Sequence, residues 1–232
     1  MKKYLILTIC LLSVALLNAA ENEIWDKARN IAELNWNLVP GLSSTVSETL
    51  NIPYEVSVNK TEYVVAHQPF ENLIMNELVS AKIDGVEQTG ENASREFDGI
   101  LKHDLTPEKE GMFFRDNGEG LTYEFTGREE EVKGFNCLAF DFIYEIDHEN
   151  NTYRGVVWLD RDTGAPIKRE FSMDKNPRLV KDMSIEEYYH YDPQTREWFR
   201  ESVKSQTIVA VMGQEMMNIT TVTYSDYWRY EE

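Results

Sequence analysis

CLAFDFIYEI at Cys137–Ile146 is followed by DHENN (147–151), YRGVVWL at Tyr153–Leu159, DRDTG (160–164) and IKREFSM at Ile167–Met173. In the first stretch Leu138, Phe140, Phe142, Tyr144 and Ile146 recur at every second position, with Asp141 and Glu145 on the opposite side. That period of two is the signature of a strand with one apolar face. The two polar pentapeptides have the composition of hairpin turns, and Gly164 suits a left-handed backbone position. Strands joined by short turns, with no helical crossover between them, form an antiparallel meander.

The same alternation extends in both directions. Candidate strands upstream are Thr45–Leu50, Tyr54–Val58, Tyr63–His67, Leu73–Ile83 and Leu121–Phe125. Downstream they are Ile185–Tyr191, Trp198–Lys204, Thr207–Met212 and Met216–Trp228, with turns at 192–195 and 213–214. Val, Ile, Thr, Tyr and Phe, which suit a pleated surface, are common in them. On the last strand Met217, Ile219, Thr221, Thr223 and Tyr227 share one face, and Met216, Val222, Tyr224 and Trp228 the other. Long sequential strands twist and curl into a barrel or half-barrel. Only residues 23–38 (EIWDKARNIAELNWNL) show a strong helical period, with Ile24, Trp25, Ala28, Ile31, Ala32 and Leu38 on one stripe. Asn22 is placed to cap this helix and Pro40-Gly41 to end it.

Residues 84–120 are irregular and glycine-rich. Ala93–Leu101 reads as a short helix, and Thr106-Pro107-Glu108 as a helix start. Segments of this length inside a β domain are often lids. The expected fold is therefore mainly β with few helices (α+β). A curved antiparallel half-barrel of about 10–11 strands is covered on its concave face by the N-terminal amphipathic helix and short lid segments.

Met1–Ala20 has the basic start (Lys2, Lys3), apolar centre and small-residue end of a secretory signal peptide. Cleavage near Ala20 leaves residues 21–232 as a single domain. The whole chain has 23 basic and 41 acidic residues, a net charge of −18; removing Lys2 and Lys3 leaves 21 against 41, or −20. Such an anion is repelled by phosphate, which argues against a nucleic-acid partner. Of the two cysteines only Cys137 survives cleavage, so no internal disulfide is available and the apolar core carries the stability. A monomer is expected.

No residue pattern identifies a catalytic centre. His67, His103, His148 and His190 stand apart from one another and from Cys, and read as four independent surface or edge histidines rather than metal ligands. Asp160, Asp162 and Gly164 resemble the start of a calcium loop without its distal Glu, and a hairpin turn accounts for them. Met212, Met216 and Met217 cluster around Gly213 as adaptable apolar filler rather than a Cu(I) site. Cys137 has only Lys133 as a basic neighbour in sequence and reads as an inert buried thiol. Neither a metal nor a cofactor is expected.

The run Gly134–Phe142, with Gly155-Val156-Val157-Trp158-Leu159-Asp160 and Thr163–Arg169 after it, resembles the outer-membrane lipoprotein-sorting (LolA-like) superfamily of bacterial exported proteins. That resemblance implies an open half-barrel with helices over its mouth, in the periplasm of a Gram-negative-type bacterium. It also implies a soluble, non-catalytic carrier of a lipid or an acylated lipoprotein. Trp25, Ile31, Leu138, Phe140, Phe142 and Trp158 are the expected lining of the apolar cavity. The alternative is a sensor or protein-interaction module of the same fold with a filled core and envelope proteins as partners.

Overall fold

The computed structural model describes residues 23–52, 54–70, 73–90, 93, 97–101, 112–114, 120–146, 151–176, 179–211 and 213–231. The proposed signal peptide, the 106–108 helix start, most of the 147–151 turn, His103, His148 and Met212 lie outside them. Helix α1 spans 23–35. It is followed by β1 (Leu38–Val39), β2 (Leu42–Ile52), β3 (Val56–Phe70), β4 (Leu73–Ile83), β5 (Val86–Glu87) and the short α2 (Asp98–Leu101). Then come β6 (Leu121–Val132), β7 (Phe135–Ile146), β8 (Asn151–Asp160), β9 (Pro166–Met173), β10 (Val180–Tyr191), β11 (Trp198–Val211), β12 (Gln214–Ser225) and β13 (Trp228–Arg229).

Eleven strands form one curved antiparallel sheet in the order β5-β4-β3-β2-β12-β11-β10-β9-β8-β7-β6, and β1 pairs with β13. The sheet does not close into a barrel. The expected meander is thus two meanders joined along β2 and β12. β5 and β6 are the two edges of the sheet. Met112 and Phe113 are buried with Trp25 and Phe140, and the Phe97 ring lies 5.2 Å from that of Tyr63.

Several strands are longer than the alternation suggests. Val56–Val58 of the expected Tyr54–Val58 strand and Tyr63–His67 belong to one strand, the 15-residue β3, while Tyr54 and Glu55 form the turn before it. The polar 59–62 stretch does not break it, because Lys60 and Glu62 pair at 2.5 Å on the outer face while Thr61 points inward. A face in water accepts charge without cost to the ladder. Likewise Ser205 and Gln206 keep their partners on both sides, which fuses the two expected strands into β11. In the opposite sense, β12 stops at Ser225, and Asp226 takes a left-handed φ of 56° before β13 begins.

Helix α1 is shorter than the expected 23–38. Asn35 ends it: its Nδ2 donates to Ile31 O and to Arg196 O, both at 2.9 Å, which ties the helix end to the β10–β11 turn. Leu38 and Val39 then pair with Arg229 and Trp228. At the other end the helix rests on the β8–β9 hairpin. There Gly164 has a φ of +76°, and a Cβ on it would lie 2.5 Å from Lys27 Cβ and 2.9 Å from Ile24 O. The left-handed turn and the close approach each require glycine.

Candidate functional site

The inner face, the one α1 packs on, can be read as rows across the sheet, because directly opposed residues share a face. One row runs Phe125, Phe140, Val157, Arg169, Glu187, Val203, Val222, Thr45, Tyr63, Ala81 from β6 to β4. It is aromatic and aliphatic at the β6 end, ionic in the middle and mixed at the β4 end. These three zones differ in what they can bind.

Among the described residues the first zone is closely packed. Trp25 is fully buried, stacked on Tyr123 at 4.2 Å and edge-on to Phe140 at 6.0 Å. Phe113 lies 5.8 Å from Trp25 and 6.0 Å from Trp198. Of the six residues expected to line a cavity, Trp25, Phe140 and Phe142 meet in this cluster, with Leu138 packed against its edge. Ile31 and Trp158 belong to a second cluster with Cys137, Ala139 and Ile167. Trp158 stands opposite Ala139, on the outer face, so it cannot share a lining with Phe140. Its indole N–H donates to Glu130, and Lys168 sits 4.9 Å above its ring. The Trp25 indole N–H has no hydrogen-bond partner among the described residues.

A buried ion network makes the second zone. Glu187 Oε2 accepts from Arg169 Nε (2.9 Å), Arg169 Nη2 (2.6 Å) and the Tyr189 hydroxyl (2.5 Å). Glu187 Oε1 faces Arg200 Nη2 at 3.6 Å. Burial favours the neutral carboxyl, but Arg169, then Arg200 and the hydrogen bonds outweigh it and hold Glu187 at about 2. Burial pushes the Tyr189 hydroxyl up. Arg169 also lies 4.4 Å over the Phe171 ring, and Tyr224 interacts electrostatically with Arg200.

At the β4 end the inner face is open. Thr45, Ser47, Thr61, Tyr63, Ile83, Phe97 and Thr220 line a pocket of about 310 Å³. Its walls combine an aromatic pair and an aliphatic side chain with four aliphatic hydroxyls, and Ser47 and Thr220 bond each other at 3.0 Å. A larger trough of about 470 Å³ lies along Arg154, Glu170, Glu186 and Lys204 on the outer face. Its charges are matched nearby: Arg154 with Asp174 at 2.8 Å, and Glu170 and Glu186 with Lys168 at 2.5 and 2.9 Å.

Comparison with known proteins adds little to this geometry. No protein-family model matches the chain, and no curated protein does. Among solved structures, a DUF1329 family protein from Desulfovibrio piger is similar at 13% identity, covering 90% of this chain and 92% of that one with a TM-score of 0.37. MucB in complex with MucA(peri) is similar at 10% identity, over 91% and 99%, with a TM-score of 0.26. A Pseudomonas aeruginosa MucA/MucB complex is similar at 11% identity, over 90% and 100%, with the same TM-score.

Sequence reasoning missed His67. It is not a surface or edge residue: it is buried, with Nε2 2.8 Å from Ser43 Oγ and Nδ1 2.8 Å from Asn76 Oδ1. Because Oδ1 only accepts, Nδ1 carries the proton and the Ser43 hydroxyl donates to Nε2. This order matches a nucleophile, a base and an orienting group. The β2 amides beside Ser43 are engaged in the ladders with β12 and β3. The three residues stitch β2, β3 and β4 together. His190 is exposed and stacks on Phe199 at 4.7 Å. The adjacent Met216 and Met217 point to opposite faces of β12. Asp160 serves its turn, accepting from Thr163 N (3.0 Å) and Oγ1 (2.5 Å). Among the described residues no group of His, Cys, Asp or Glu could hold a metal ion, and no helix is long and apolar enough to cross a membrane.

Proposed function

We propose that this protein is an exported, non-catalytic binder or carrier of a lipid-like amphiphile, held on the open β4 end of the inner face. The observation that carries the reading is the pocket along Thr45, Thr61, Tyr63, Ile83 and Phe97, left open beside a core that is packed. At about 310 Å³ it falls at the small end of the range of about 300–1,000 Å³ for ligand sites. Each methylene buried there contributes about 0.8 kcal/mol. The amphiphile is a free lipid or the acyl chain of a lipoprotein, and the signal-like Met1–Ala20 directs the chain to the envelope. The net charge of −18 opposes adsorption to anionic bilayers, so affinity has to come from the pocket.

Displacement of a fluorescent fatty acid tests the proposal, alongside the pocket-filling variant Thr61→Trp. Saturable binding by the wild type, lost in the variant, is expected. Absence of both co-purifying lipid and probe binding would contradict it. The packed zone under α1 favours a second reading, an envelope interaction module, and that outcome would select it.

A further inference from the structure

We infer that the inner face selects an amphiphile with an oxyanion head, and that Arg200 receives the head while the Tyr63–Phe97 pocket takes the tail. The inference rests on the proposed function and narrows its ligand class.

Among the described residues the ion network is charge-unbalanced. Two guanidiniums, Arg169 and Arg200, share the single carboxylate of Glu187. Arg169 takes most of it, with two hydrogen bonds to Oε2, the oxygen that Tyr189 also occupies. Arg200 is left with Oε1 at 3.6 Å, a distance too long for a good hydrogen bond. Its side chain keeps 46% of its surface exposed, against 15% for Arg169 and 5% for Glu187. An incompletely neutralised guanidinium with donors to spare is suited to bidentate capture of a carboxylate or phosphate. In a chain of net charge −18, a positive centre on an inner face is where an anion finds its best partner.

Register brings this centre to the pocket. Tyr224, which interacts electrostatically with Arg200, lies opposite Ser43 on β2, two residues from Thr45 on the same face. Thr45 in turn faces Tyr63, which lines the pocket. Head and tail sites are therefore one strand apart on a continuous surface.

Titration at pH 8 with oleate, lysophosphatidate, oleyl alcohol and inorganic phosphate tests the inference on wild type, Arg200→Gln and Arg200→Lys. The wild type should bind at least one anionic amphiphile about tenfold more tightly than oleyl alcohol. Arg200→Gln should erase that preference and leave oleyl alcohol unchanged, and Arg200→Lys should restore part of it. Preference for lysophosphatidate, with competition by phosphate, would assign a phosphate head; preference for oleate would assign a carboxylate. Equal wild-type affinity for oleate, lysophosphatidate and oleyl alcohol would overturn the inference and leave the proposed function standing. So would an undiminished preference in Arg200→Gln. Should that variant not fold, the wild-type preference has to shrink with rising salt, and a salt-independent preference overturns the inference. Binding of none of the three amphiphiles refutes the proposed function itself.

Discussion

Arg169 and Glu187 face each other across β9 and β10 and are joined by two hydrogen bonds to one carboxylate oxygen, in the middle of a row that is aromatic and aliphatic at one end and mixed at the other. The pair separates the packed half of the inner face from the open half. A buried carboxylate so held is strongly coupled to folding.

Its ordinary value of 4.5 is lowered to about 2 in the fold. The stabilisation is therefore fully present above pH 4.5 and is lost as pH falls through about 2. Denaturant unfolding of the wild type across that window should show stability falling with pH. Glu187→Gln should cost about 3–5 kcal/mol at pH 7, because it strands two guanidiniums. It should also flatten the pH dependence below 4.5; an unchanged slope would mean the carboxylate is not the group responsible.

Gly164→Ala should destabilise by about 2–3 kcal/mol, combining left-handed strain with a clash into α1. Gly134 supplies the control. Its φ is +85° but a Cβ there meets nothing within 4 Å, so Gly134→Ala should cost only about 1–2 kcal/mol. Equal losses, read by thermal unfolding, would argue that α1 does not seat on the β8–β9 turn.

Cys137 should resist thiol reagents in the native protein at pH 8 and react on unfolding. Burial first, then the charge of Asp160, pushes its thiol up to about 12, so the reactive thiolate is scarce. Native labelling at a rate comparable with a free thiol would contradict the buried placement.

Stability and binding should separate. Trp25→Ala removes the centre of the packed zone and should cost about 3–5 kcal/mol, yet at a temperature where the variant is folded its affinity for a fatty acid should match the wild type. Thr61→Trp should do the reverse, abolishing binding with little loss of stability. Calorimetry with a displacement assay on both variants checks the pair.

The strands were legible because alternation survives wherever one face is buried, as in Leu138–Phe140–Phe142. Strand lengths were less so: Asn59–Glu62 looks like a break by composition, and only the solvated outer face explains its inclusion in β3. Apolar character alone could not tell a packed face from an open one, since Phe140 and Tyr63 both alternate correctly but only Phe140 is capped by Trp25. The β2–β12 joint pairs residues about 170 positions apart, Thr45 with Val222 among them, and no local signal encodes it. For the same reason Glu187 and His67 escaped notice: a lone carboxylate or imidazole in a strand acquires meaning only from partners on other strands.

The most direct measurement is a crystal structure with a brominated fatty acid, located by bromine anomalous scattering. The bromine is expected in the pocket between Tyr63, Ile83 and Phe97. A bromine beneath α1 beside Trp25, or no bound fatty acid at saturating concentration, would contradict it.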